Sequence, residues 1–189
     1  MDTKKLGIEL ARLIEETVNL SMDDICSALG KSVGDVFFEY IALLLWVVTK
    51  EASIILPEKS IQPTIDTMTC ATFYLIEDSG AKSLKDFNEK IWEDFILSRF
   101  GLYHSAWHAW PTKVRGEIED KDVLLELSQV TVAHNFVLCC LTKTADLHKA
   151  NIEFRKHPNY KGNYPTHIGC ALKHYRRFSE RAKSVLSRI

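Results

Sequence analysis

The chain has 189 residues, of which 46% are hydrophobic and 26% are charged. This length suits one domain, and this composition excludes an intrinsically disordered chain. Eight glycines and five prolines are too few for a collagen-like or linker-dominated chain. The formal net charge of −1 gives no overall attraction to nucleic acid or to an anionic membrane.

The cysteines and the apolar segments bear on the cellular location. Five cysteines cannot all pair with one another, and none of them forms a C-x-x-C motif. The first six residues lack the apolar core of a secretory signal. The longest strongly apolar stretch, residues 36–48, contains Glu39 and is too short to span a bilayer. We therefore expect a cytoplasmic protein without membrane association, in which most cysteines act as small buried hydrophobic residues.

Hydrophobic periodicity predicts helices from the beginning of the chain. The first helix is predicted over residues 4–18. A capping-box-like Ser21-x-x-Asp24 begins a short second helix, which Gly30 ends. A third helix is predicted over residues 33–55, and the stretch from Pro57 to Pro63 is predicted to be a loop.

The same pattern continues to the C-terminus. Helices are predicted over 64–78, from Leu84 toward Trp110 with Pro111 ending the helix, and from about 120 to 155. A loop over 157–166 precedes a basic last helix at about 165–189. Strand-like alternation and internal repeats are absent from the sequence. The prediction is an all-α, single-domain bundle of six to seven helices spanning residues 1–189.

Charge is divided unevenly along the chain. Residues 143–189 contain eleven Lys and Arg against three acidic residues, so they carry about +8, and the remainder carries about −9. The basic last helix either attracts an anionic partner or packs against the acidic body of its own or a neighbouring subunit. We favour packing, because this helix also has an apolar face that needs cover. We therefore expect a homodimer and disfavour a nucleic-acid partner.

Residues 21–40 resemble a bacterial helix-turn-helix. The residues at the core, turn and cap positions of that motif are Ile25, Ala28, Gly30, Ser32, Val36 and Phe37. The resemblance extends to tetracycline-repressor-like transcriptional regulators, and it implies a DNA-binding helix that begins after Gly30. The alternative is a plain helix corner at Gly30. Within residues 21–40 the would-be DNA-binding helix carries no Lys or Arg and presents Asp35, Phe38 and Glu39 to DNA. This composition favours the alternative, because phosphate contacts dominate affinity for DNA.

A second resemblance involves the segment from Gly34 to Phe38 and the Ile-Ala-Leu at 41–43. These residues are similar to the second helical motif of all-α nucleotide pyrophosphohydrolases. The resemblance implies a Mg²⁺ ion held against a triphosphate by carboxylates on facing helices. Two of the four motif carboxylates are replaced here, and the remaining candidates are Asp35, Glu39, Glu15 and Glu16. The alternative is a helix pair with no enzymatic role.

Histidines supply a candidate transition-metal site. His104 and His108 are four residues apart on a predicted helix, a spacing that can offer two imidazoles to one ion. His134 lies on the apolar stripe of the next helix, and His167, Cys170 and His174 lie close to one stripe of the last helix. We expect His104, His108 and His134 to bind Zn²⁺ or iron if a metal is bound. The alternative is that these are hydrogen-bonded core histidines.

An aromatic cluster precedes Pro111. Tyr103, Trp107 and Trp110 could stack on a flat ligand, and the alternative is that they anchor a helix end in the core. Taken together, the sequence favours a non-catalytic protein that binds a small ligand or a protein partner, with the cofactor unspecified. The alternatives are the nucleotide pyrophosphohydrolase and the transcriptional regulator.

Overall fold

The computed structural model describes residues 2–78, 89–113, 120–143 and 164–188, together with Asp146 and Lys149; at 77–78, 110–113 and 164 it describes the backbone alone. All regular structure within these ranges is helical, so the prediction of an all-α bundle is confirmed. The six described helices are α1 (Thr3–Leu29), α2 (Val33–Ile55), α3 (Glu58–Asp78), α4 (Glu89–Lys113), α5 (Lys121–Thr142) and α6 (Tyr164–Leu186).

The predicted break near Ser21 is wrong, because α1 is continuous from Thr3 to Leu29. The apolar face of the helix runs through Ser21, which is itself buried, so burial favours an uninterrupted helix over a new N-terminus. The true N-cap is Asp2, whose carboxylate accepts a hydrogen bond from the Lys5 backbone N–H at 3.0 Å. Gly30 ends the helix as predicted, in the left-handed conformation with φ 61° that glycine adopts without steric cost.

Two predictions that rested on proline are also wrong. The predicted loop at 57–63 is helical from Glu58, and Pro63 lies inside α3. Helix α4 continues through position 111 to Lys113. A proline removes one backbone hydrogen bond from a helix. In α3 that loss is offset by packing against α1, where the buried Thr64 and Met68 follow Pro63 within two turns.

The ends of the last two helices differ from the prediction as well. Helix α5 ends at Thr142 rather than near 155, because Lys143 adopts a left-handed conformation with φ 57°. Helix α6 begins at Tyr164, within the predicted loop. Lys121 and Val33, in contrast, begin helices close to their predicted positions. The predicted helix start at 84 falls outside the described residues. So do residues 144–155 of the predicted long helix, except Asp146 and Lys149, and residues 157–163 of the predicted loop.

Helix α2 occupies the centre of the bundle and contacts each of the other described helices. Its segment from Tyr40 to Val48 is buried throughout, as expected for a core helix. The other helices surround it in the order α3, α1, α6, α5 and α4, each packed against the next. Helices α3 and α4, at the two ends of this row, pack much less closely against each other than neighbouring helices of the row do, and a groove lies between them.

Helices α1 and α3 share the most extensive contact among the described helices. A Cβ atom on Gly7 would lie 2.7 Å from the Thr67 Cβ and 2.9 Å from the Thr64 carbonyl oxygen. Glycine is therefore required at this crossing, because any side chain would push the two helices apart.

Among the described helices, α5 is long and apolar enough to cross a membrane, and the bent pair α1–α2 passes the same test when taken as one span. Half of the apolar window of α5 is buried inside the bundle. The core helix of a bundle has the same length and composition, so this property does not distinguish the two situations.

Candidate metal centre

Helices α1 and α6 pack antiparallel, and ion pairs repeat along their seam every two turns. The Arg188 guanidinium lies 3.3 Å from the Glu9 carboxylate, and that of Arg181 lies 3.1 Å from Glu16. The basic last helix therefore packs against α1 of its own chain. Position 174 continues the same spacing as 188 and 181, but it carries a histidine.

At this third level of the seam, a carboxylate faces an imidazole. The Asp24 Oδ2 atom lies 2.9 Å from the His174 Nε2 atom and 3.3 Å from the Lys173 Nζ atom. The hydrogen bonds from His174 and Lys173 lower the pKa of Asp24 below its ordinary value. The His174 side chain is buried, whereas those of Asp24 and Lys173 are more than half exposed. One side of the group therefore faces solvent.

A thiol completes the group. Cys170 lies one turn before His174 on α6, and one ligand atom each from Asp24, Cys170 and His174 lies within 4.8 Å of the other two. Within the described part of the chain, this is the one cluster of three or more His, Cys, Asp or Glu residues with such geometry. Partial burial, followed by the charge of Asp24, raises the pKa of the Cys170 thiol. Without a metal, the thiol is therefore held in its protonated form.

The donor set is suited to Zn²⁺. Zinc binds cysteine sulfur, histidine nitrogen and aspartate oxygen at about 2.0–2.3 Å, which places tetrahedral ligands about 3.3–3.8 Å apart. The Asp24–His174 separation of 2.9 Å is slightly shorter than that range, and the longest separation in the cluster exceeds it by about 1 Å at most. Side-chain rotation can make both adjustments. Three protein ligands leave one tetrahedral position for water or another ligand. A Mg²⁺ or Ca²⁺ ion would not suit a thiol, because those ions prefer oxygen.

The open side of the cluster borders a cleft of about 400 Å³ between α1 and α6. Asp24 and His174 both line this cleft, together with Thr17, Leu20, Ser21, Lys173, Arg177, Phe178 and Arg181. An exchangeable ligand could therefore reach the fourth position from solvent.

The histidines predicted as ligands lie elsewhere. His104 and His108 are exposed neighbours on α4, and the centroids of their rings are 4.4 Å apart. His134 is half-buried on α5, where burial lowers its pKa. The ligand atoms of these three residues do not meet the distance condition that Asp24, Cys170 and His174 satisfy. His104 and His108 are thus together, and His134 does not complete a site with them.

The predicted aromatic ligand site lies largely in the core. Tyr103 is fully buried and Trp107 is half-buried, and both pack around Trp46 with ring centroids 5.9 and 6.0 Å away. The Lys50 ammonium lies over the Trp107 ring, 4.1 Å from its centroid. This placement corresponds to the core-anchoring alternative. The side chain of Trp110 falls outside the described residues.

The carboxylates of the pyrophosphohydrolase resemblance are dispersed. Glu39 is buried and forms a bidentate ion pair with Arg99. Asp35 accepts a hydrogen bond from Ser32 and pairs with Lys143. Glu16 is paired with an arginine of α6, and Glu15 is exposed. These four carboxylates do not form a metal cluster in the described structure. Glu39, which the helix-turn-helix would direct toward DNA, faces the protein interior.

Asp24 is a candidate ligand that the sequence did not indicate. Its position in Ser21-x-x-Asp24 suggested a helix cap, which the continuous α1 does not need. The Cys170–His174 pair has the same four-residue spacing as His104 and His108, so two of the three candidate ligands were visible in the sequence. Only the pairing of α1 with α6 identifies the third ligand.

No family model matches the sequence, and neither the curated proteins nor the solved structures include a significant match to it. The residues and their geometry are therefore the basis of the functional proposal.

Proposed function

We propose that this protein binds a transition-metal ion, best matched by Zn²⁺, through Asp24, Cys170 and His174. The observation that carries the proposal is the convergence of three different ligand atoms from two helices within 4.8 Å of one another. The proposal gives a specific ligand to the non-catalytic binding role expected from the sequence. Cytoplasmic location and dimerisation stay predictions.

A metal explains the third level of the α1–α6 seam better than a simple ion pair does. The first two levels use arginine, whose guanidinium cannot coordinate a metal. The third level combines an imidazole, a thiol and a carboxylate, all of which can. Lys173 must leave Asp24 when the ion binds. That exchange costs little, because an ion pair between exposed side chains contributes at most about 1 kcal/mol.

The test is a titration of metal-stripped protein with Co²⁺, followed by absorption spectroscopy. Co²⁺ replaces Zn²⁺ in tetrahedral sites, and a thiolate ligand adds a sulfur-to-cobalt charge-transfer band. We expect one equivalent to bind, with that band present. Cys170→Ser should remove the band and His174→Gln should weaken binding, whereas Cys70→Ser is the matched control at an exposed cysteine.

Two results would contradict the proposal. One is a charge-transfer band that survives Cys170→Ser. The other is Co²⁺ binding that shows no thiolate band and is lost in the double variant His104→Ala/His108→Ala. That result would assign the site to the exposed pair on α4. Affinity should also fall as the pH is lowered, because protons compete with the metal for the Cys170 thiolate.

The groove between α3 and α4 supports a second candidate function, the binding of a partner helix. It has a volume of about 550 Å³ and is lined by apolar side chains that include Ile65, Phe73, Trp92, Ile96, Leu97 and Phe100. Leu97 is 68% exposed, although it is large and apolar. The charged residues in the lining are all acidic: Asp66, Glu89 and Glu93. This pattern suits an amphipathic helix with a basic polar face.

Fluorescence anisotropy of two labelled peptides would test this function. One peptide carries leucines at helical i, i+3, i+4 and i+7 positions with lysines elsewhere, and the other replaces each lysine with glutamate. We expect the basic peptide alone to bind, with lower affinity at high salt and with Leu97→Asp abolishing binding. Equal binding of both peptides, or unchanged binding to Leu97→Asp, would contradict the assignment.

A further inference from the structure

The cleft beside the metal centre is strongly basic. Lys173, Arg177 and Arg181 all line it, and Asp24 is the one acidic residue among the described residues of its lining. Apolar surface is present as well, because Leu20 lies in the lining and is 79% exposed. The cleft thus combines positive charge, an adjacent metal position and a small apolar surface, and its volume lies within the usual range for small-molecule sites.

The three cations differ in how they are held. Arg181 donates hydrogen bonds to the Thr17 hydroxyl at 3.0 Å and to Glu16 at 3.1 Å, so its charge is already compensated. Lys173 has Asp24 as its acidic neighbour. Arg177 is exposed and forms neither an ion pair nor a side-chain hydrogen bond within the part of the chain that the structure describes. It is therefore available to an incoming anion.

Metal binding changes the charge of this cleft. A Zn²⁺ ion with Asp24 and the Cys170 thiolate as ligands forms a neutral unit, since two negative charges balance the ion. The Asp24 charge then no longer compensates Lys173. Lys173 and Arg177, which both line the cleft, are then left without an acidic partner among the described residues of its lining. The loaded cleft therefore gains about one positive charge relative to the metal-free cleft.

From this arrangement we infer that the metal-loaded cleft binds a small phosphate monoester. One phosphate oxygen takes the fourth metal position, Lys173 and Arg177 contact the remaining oxygens, and the organic part of the ligand lies toward Leu20. A phosphate dianion matches the two uncompensated cations better than a singly charged carboxylate does. This inference rests on the proposed metal-binding function, because the metal both supplies a contact and frees Lys173.

The experiment uses the full chain loaded with Co²⁺ and titrated with phenyl phosphate at constant ionic strength. We expect the ligand-field absorption of Co²⁺ to change in a saturable way, because a phosphate oxygen replaces water on the metal. Arg177→Gln should leave the cobalt spectrum intact and weaken phenyl phosphate binding about tenfold to hundredfold, the loss of a charge-assisted contact. Arg12→Gln, at an exposed arginine of α1 outside the cleft, is the matched control.

The results separate this inference from the function on which it rests. If Co²⁺ binds with the Cys170-dependent band but phenyl phosphate leaves its spectrum unchanged, the phosphate inference is overturned and the metal centre stands. The phosphate inference is also overturned if the Arg177→Gln variant binds phenyl phosphate as tightly as the unmodified protein does. It is overturned too if the metal-free protein binds phenyl phosphate as tightly as the metal-loaded protein does. If the Cys170-dependent band never forms, both proposals fail.

Discussion

The buried ion pair between Glu39 of α2 and Arg99 of α4 offers the sharpest test of the energetics of this bundle. The Arg99 Nε and Nη2 atoms donate to the two carboxylate oxygens of Glu39, and the two side chains are only 8% and 7% exposed. The guanidinium also lies over the Phe95 ring, 4.6 Å from its centroid. Removing one partner would leave the other charge buried without compensation, in an interior where water cannot replace the lost contact.

We expect Arg99→Met to lower the free energy of unfolding by about 3–5 kcal/mol, the usual cost of breaking a buried pair. In a chain of this length, 1 kcal/mol corresponds to about 2–4 °C in Tm, so the expected decrease is about 6–20 °C. Glu39→Met should have a similar effect. The double variant should recover most of the loss, because two apolar side chains of similar size can replace a buried pair at little net cost.

Urea unfolding followed by circular dichroism measures each variant and gives the coupling energy of the double-mutant cycle. A loss below about 1 kcal/mol in either single variant would show that solvent screens the pair, as it does at a surface, and would refute the reasoning. Additive losses in the double variant would refute it as well. Glu39→Met should leave metal binding unchanged, because its carboxylate belongs to Arg99 rather than to a metal site.

Three further predictions concern packing and pH. Gly7→Ala should destabilise the protein by about 1–3 kcal/mol in urea unfolding, because the new Cβ would lie 2.7 Å from the Thr67 Cβ. Gly101→Ala, at a helical site with open space, should instead stabilise the protein by about 0.5–1 kcal/mol. Equal effects of the two substitutions would contradict the tight crossing of α1 and α3. The Lys143 ammonium and the Ser32 hydroxyl lower the pKa of Asp35 to about 2. The stabilising contribution of the Asp35 carboxylate should therefore be complete above about pH 4 and lost as the pH falls through 2. A stability profile of Asp35→Asn that parallels that of the unmodified protein over this window would exclude the effect. Burial lowers the pKa of His134 below 6.5, so the folded state should lose stability as the pH falls below about 6.5 and through the lowered pKa. In thermal unfolding, the stability of His134→Gln should depend less on pH over this range. An unchanged dependence of stability on pH would refute this assignment.

Local signals determined the fold class and several helix ends. The continuous apolar run of α2 ends before Pro57 and follows Gly30, and both of its ends lie where the sequence predicts them. In such cases the local preference and the burial pattern agree. Ser21 and Pro63 show the opposite outcome, since each is a local signal for a helix boundary and each lies inside a helix. Burial of a continuous face against α2 and α3 outweighs a single unused cap or one missing backbone hydrogen bond.

The candidate metal centre divides in the same way between local and tertiary information. The sequence determined that Cys170 and His174 lie one turn apart on a basic, amphipathic helix, because helical spacing is a local property. It determined equally well that His104 and His108 are neighbours, and it offered no basis for choosing between the two pairs. Only the antiparallel packing of α6 on α1 brings Asp24, nearly 150 residues away, to the thiol and the imidazole. That pairing depends on the fit of apolar faces and on charges matched along the whole seam, which no local segment encodes.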